Sequence, residues 1–201
     1  ETKPGSWKDA HHVLDEFLKK VLAEPDLKVK VEKLLASEDN LEFYHGTRMA
    51  EILAMDIWEL HFNRTREGKD SWYYLMQSDE PERIKRAIEL AEKIIPLDKI
   101  ATGVGEEMGF GKQFEPHTTL DWVVQELDRW PGMGINLINT ALQSPVTRNR
   151  NMAVRALQAW GRENRQDDTE SLLRQLLDEE PDEDLRDVIT KLLASDTDNG
   201  D

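Results

Sequence analysis

Four glycines in nine residues, Gly103, Gly105, Gly109 and Gly111, with Lys112 and His117 close behind, are the first residues whose spacing suggests chemistry. Glycine permits positive φ and close approach of the backbone. Backbone N–H groups gathered this way near a helix start can cradle a phosphate. Neither the P-loop nor the dinucleotide spacing is present, however, and no strand precedes the segment. Glu106 and Glu107 would also repel a phosphate. The plainer reading is a long loop, 101–116, folded over helices.

Arg148-Asn149-Arg150-Asn151 is the second constellation, at an expected helix N-terminus. Two arginines there could hold a carboxylate or phosphate. They could equally bridge neighbouring helices while the asparagines satisfy backbone groups. Together with Gly103, Gly105, Gly109, Gly111 and His117, Arg148 and Arg150 are the candidate ligand-binding residues. Glu42-x-x-His45 matches half of a di-iron carboxylate arrangement, which needs a second copy and two further glutamates. His61 lies sixteen residues from His45, too far along one helix to share a metal, and His11-His12 point apart. No metal site and no cofactor are therefore expected. Serines fall at caps and turns without a nucleophile elbow, so no catalytic residue is assigned.

The elements that must position these residues read as helices throughout. Ser6 opens the first, with Leu14, Phe17, Leu18 and Val21 on one face. Leu27, Val31, Leu34 and Leu35 line a second. A long third helix is expected from about Leu41 to Phe62, with Leu41, Tyr44, Ile52, Leu53, Ile57 and Leu60 on its apolar side and Gly46 costing it about 1 kcal/mol. Arg64 to Asp70 reads as a loop. Trp72, Tyr73 and Tyr74 open a short aromatic segment, and since they cannot all face inward, one is expected to mark a contact surface. Ser78 to Glu82, with Pro81, opens a helix carrying the stripe Ile84, Ala87, Ile88, Ala91 and Ile95, ended by Pro96. After the glycine-rich segment, Thr118 and Asp121 read as a capping box for Leu120, Val123, Val124 and Leu127. Pro131 to Gly134 turns the chain into a helix with Ile135, Ile138, Ala141 and Leu142. The next carries Ala153, Ala156, Leu157 and Trp160, with Gly161 as its C-cap. Two more follow on either side of Pro181.

Those last four helices form an internal repeat. Arg148 and Arg186 occupy corresponding positions 38 residues apart, each after a proline-bearing turn. The segment 134–195 resembles the HEAT/armadillo repeats, whose period is about 40–47 residues. With the glycine-rich segment, SPVTRNRNMA also resembles a poorly characterised group of bacterial HEAT-like proteins, some labelled limonene hydroxylase. That label implies a haem, flavin or metal centre, whose ligands do not stand out in the sequence. The resemblance implies an all-α fold, an α–α superhelix of stacked antiparallel helix pairs, as a single domain over 1–195 with a disordered acidic tail at 196–201.

Composition bounds the function. The 201 residues carry a net charge of −15, and 13 acidic against 3 basic side chains put −10 of it after Arg165. Such acidity opposes nucleic acid and anionic membranes unless a basic patch compensates, Arg148, Arg150 and Arg155 being the best candidate. The absence of cysteine suits a reducing cytoplasm. Glu1 to Lys8 hold no apolar signal core, and a start at Glu1 rather than methionine is expected of a trimmed chain or fragment. The leading expectation is a non-catalytic helical-repeat module binding a protein or peptide, in the cytoplasm. The alternative is an enzyme or small-ligand protein with its site between the loop 101–116 and the helix starting near Arg148.

Overall fold

A computed structural model describes residues 24–195; the expected first helix with its His11-His12 pair, and the tail 196–201, lie outside the described residues. Eleven α-helices and three short 3-10 turns make up the described chain, and no strand occurs among these residues. The chain divides into two compact units between Glu59 and Leu60, and each is taken by itself.

In the first unit, α1 (Leu27–Leu35) packs against α2 (Asn40–Ile52). Asp39 caps α2, its carboxylate accepting from the N–H groups of Leu41 and Glu42 at 2.9 Å each. The long helix expected over 41–62 is in fact two. α2 ends at Ile52, Ala54 takes a φ of 49°, and α3 (Trp58–Arg66) begins after Asp56 accepts from the Trp58 N–H at 3.2 Å. α3 therefore also fills the start of the expected loop at 64–70.

The buried face of α2 also differs from the expected one. Phe43, Gly46, Thr47 and Ala50 face inward, while Leu41, Tyr44 and Ile52 are exposed. The reason is Gly46. A Cβ there would lie 2.9 Å from the Leu35 backbone nitrogen, so the bare glycine lets the two helices touch along their backbones. Small residues beside Gly46 follow that close approach, and the larger apolar residues are turned outward.

The second unit holds α4 (Trp72–Met76), α5 (Pro81–Ile94), α6 (Leu97–Ile100), α7 (Glu115–Val124), α8 (Ile135–Leu142), α9 (Thr147–Trp160), α10 (Asp167–Glu179) and α11 (Glu183–Ser195). α5 forms as its stripe requires, with Pro81 in its first turn and Ile84, Ala87, Ile88 and Ala91 buried. α7 starts at Glu115, earlier than the Thr118 cap predicts, because Pro116 is preset for a first helical turn. Asp121 is consequently not a cap residue but a buried one.

α7 packs against α4, α5, α8 and α9, and α9 packs against α7, α8 and α11. Leu120, Val123, Val124, Leu137, Ile138 and Leu157 are fully enclosed between them. Trp160 anchors the end of α9 by donating its indole N–H to the Leu127 carbonyl at 2.6 Å. α8 and α9 make one helix pair, α10 and α11 the next, with α8 against α10 and α9 against α11.

Candidate functional site

The candidate residues converge on the turn that joins α8 to α9. The glycine-rich segment runs beside this turn as extended chain. Gly103 donates to the Gln143 carbonyl at 2.9 Å and Glu107 to the Pro145 carbonyl at 3.1 Å, while Thr147 donates back to Glu107 at 3.4 Å. Glu107 and Val146 thus form one isolated parallel bridge. The pairing stops there because Pro145 has no N–H to give a second one. Two glycines make the approach possible. A Cβ on Gly105 would lie 3.2 Å from Pro145, and one on Gly109, at a φ of 74°, would lie 2.9 Å from Val146. Their freedom serves contact with the protein's own turn.

The opposite side of the segment faces solvent. Met108 and Phe110 are 70% and 71% exposed, and Glu106, Glu107 and Lys112 are exposed as well. In the interior of the same unit, side chains this apolar are enclosed; here a positioned loop holds two of them out.

Beneath the turn lies a buried polar network. Asn149 Nδ2 donates to the His117 carbonyl at 2.9 Å and to Asp121 Oδ1 at 2.5 Å, which fixes the orientation of the amide. Its Oδ1 accepts from the Ser144 hydroxyl at 2.7 Å and faces His117 Nδ1 at 3.0 Å. An acceptor at that place requires His117 Nδ1 to carry a proton. Ser144 Oγ also lies 3.0 Å from His117 Nδ1, the separation of a nucleophile–base pair. The protons run the wrong way for that chemistry. The hydroxyl proton goes to Asn149, the oxygen accepts from the Val146 N–H at 3.1 Å, and Ser144 is wholly enclosed. The cluster is a pinned joint between α7, the turn and α9.

The two arginines are likewise engaged. Arg148 Nε donates to Asp121 Oδ2, so α9 is tied to α7. Burial pushes the Asp121 carboxyl above the ordinary carboxylate value, against the pull of Arg148, the Asn149 and Arg148 hydrogen bonds and His117. Arg150 is 0% exposed. Its Nε and Nη2 grip both oxygens of Glu180 at 2.6 and 2.8 Å, and Nη1 donates to the Ser144 carbonyl at 2.9 Å. Arg155 pairs with Asp128 at 2.7 Å. Of the expected basic patch, one guanidinium is thus enclosed and the other two are neutralised.

Elsewhere, Glu42 and His45 are exposed, and among the described residues no group of three or more His, Asp or Glu side chains is placed to hold a metal ion. His61, expected on one long helix with His45, lies on α3 and is buried. Its Nδ1 lies 2.6 Å from Asp70 Oδ2, and its ring stacks on Tyr74 at 4.3 Å. Tyr74 meets Tyr73 edge-on at 5.5 Å, and Tyr73 meets Trp122 at 6.3 Å. This row of rings ends at the surface, and Tyr73 is the exposed member of the 72–74 run. A hollow of about 310 Å³ near the end of α5 is lined by Glu92, Ile95, Pro96, Leu97, Asp98 and Lys99, none of them from the loop or α9.

Compared with protein families, curated proteins and solved structures, the chain matches none.

Proposed function

We propose that this chain is a non-catalytic interaction module that binds a protein or peptide through the exposed side of the loop 101–116. The observation that carries the reading is the exposure of Met108 and Phe110 at 70% and 71% on a segment whose other side is bonded to the α8–α9 turn. Apolar side chains held out by a positioned backbone cost little entropy to bind, the condition under which a small patch becomes a contact surface. The polar residues beneath support a scaffold role, because the Ser144 hydroxyl, the Asn149 amide and the Arg150 guanidinium already have internal partners.

A HEAT-like stack of helix pairs is the architecture we assign to 134–195. The contacts of α8 with α10 and of α9 with α11, together with the short turns within each pair, support it. A cysteine-free, acidic chain suits the cytoplasm.

The test is selection from a random peptide library on the immobilised protein, with Met108→Ser/Phe110→Ser as counter-target. Enrichment on the parent protein alone is expected. If instead a metabolite raises the melting temperature and Arg148→Ala abolishes that effect, the small-ligand reading replaces this one.

A further inference from the structure

The segment Val104–Met108 has two backbone edges, and only one is used. The N–H and C=O of Glu107 face the α8–α9 turn and bond to Pro145 and Thr147. In extended chain the neighbouring residues point their backbone groups the other way. Among the described residues, the N–H groups of Glu106 and Met108 meet no backbone acceptor. A row of unmet donors and acceptors beside exposed apolar side chains is a template for another strand.

The side chains along this edge say what kind of strand. By alternation Val104, Glu106 and Met108 share one face and Gly105 and Glu107 the other. Met108 is well exposed. Glu106 and Glu107 are exposed too, and neither carboxylate has an ion-pair partner among the described residues.

We propose that the outer edge of Val104–Met108 accepts an extended, basic segment of a partner protein as an added strand. Its backbone bonds to Glu106 and Met108, its apolar residues lie beside Val104 and Met108, and its lysines or arginines lie beside the carboxylates. This rests on the reading of the loop as the contact surface and adds the partner's conformation and charge.

The test uses the peptide Val-Thr-Lys-Lys-Val-Thr, whose valines can lie beside Val104 and Met108 while its lysines lie beside the carboxylates, titrated into the whole protein and followed by amide hydrogen exchange. Saturable binding is expected to slow exchange at the Glu106 and Met108 N–H groups. The same peptide N-methylated on alternate backbone nitrogens, and a counterpart with glutamate in place of lysine, are expected to bind at least tenfold more weakly. Glu106→Lys/Glu107→Lys is expected to reverse the charge preference. Equal binding of the N-methylated peptide overturns strand addition while leaving the loop as a contact surface. No saturable binding overturns the proposal, as does slowed exchange confined to other residues. Protection of Glu106 and Met108 that grows with protein concentration and without peptide assigns the edge to a second copy, and overturns it also. Loss of library enrichment on Met108→Ser/Phe110→Ser tests the underlying reading separately.

Discussion

Arg150 and Glu180, thirty residues apart, form a bidentate ion pair that no solvent reaches. It locks the start of α9 to the turn between α10 and α11. A buried pair is poor evidence of net stabilisation, but breaking one side leaves a charge stranded. Glu180→Leu is therefore expected to cost about 3–5 kcal/mol in urea unfolding, and Arg150→Met/Glu180→Leu to recover most of that loss. If the double variant is no better than the single, the pair is not the source of the cost.

Asp121 gives a pH dependence with a definite sign. Its carboxyl titrates above the ordinary value of 3.8, because burial disfavours the charge more than its partners favour it. The contribution of this group to stability is full below that value and is lost as pH rises through the folded-state value. Asp121→Asn removes the titration and keeps an acceptor for Arg148. The stability of the parent protein relative to this variant is expected to fall as pH rises from about 3.5 to 7. Urea unfolding of both proteins across that range checks it; a difference that grows with pH contradicts it.

Gly46 separates what propensity says from what packing says. As a mid-helix glycine it should gain about 1 kcal/mol on replacement by alanine. The structure puts the new methyl 2.9 Å from the Leu35 nitrogen, backbone that cannot step aside without moving a helix. Gly46→Ala is expected to destabilise by about 1–3 kcal/mol, as overpacking does. A higher melting temperature would show that the helices part easily.

Gly109 is held for two reasons, a φ of 74° and the Val146 methyl 2.9 Å from any Cβ. Gly109→Ala is expected to cost about 1–2 kcal/mol and to loosen the bridge at Glu107. Faster hydrogen exchange at the Glu107 N–H is the measurement; unchanged exchange there would mean the bridge does not depend on this glycine.

The helical frame was legible wherever apolar residues repeat at the helical period between proline stops, as in α5 between Pro81 and Pro96. The glycines of 101–116 marked a real interruption, though not its purpose, since what Gly105 and Gly109 approach is Pro145 and Val146, 40 and 37 residues on. Leu53 to Ile57 concealed the break after α2, because apolar residues at a junction mimic a continuing stripe. The networks left no local trace. His117 reaches Asn149 across 32 residues and Arg150 reaches Glu180 across 30, and periodicity carries no information about such pairs. His61 with Asp70 is closer, yet only the end of α3 at Arg66 brings them together.

The central claim is that Met108 and Phe110 serve binding and not folding. Met108→Ser/Phe110→Ser should leave the urea midpoint unchanged, since exposed side chains contribute within about 0.5 kcal/mol. Calorimetric titration of a peptide enriched on the parent protein should then show at least tenfold weaker binding to the double variant. Equal affinity, or a midpoint that drops with the substitution, would contradict the account.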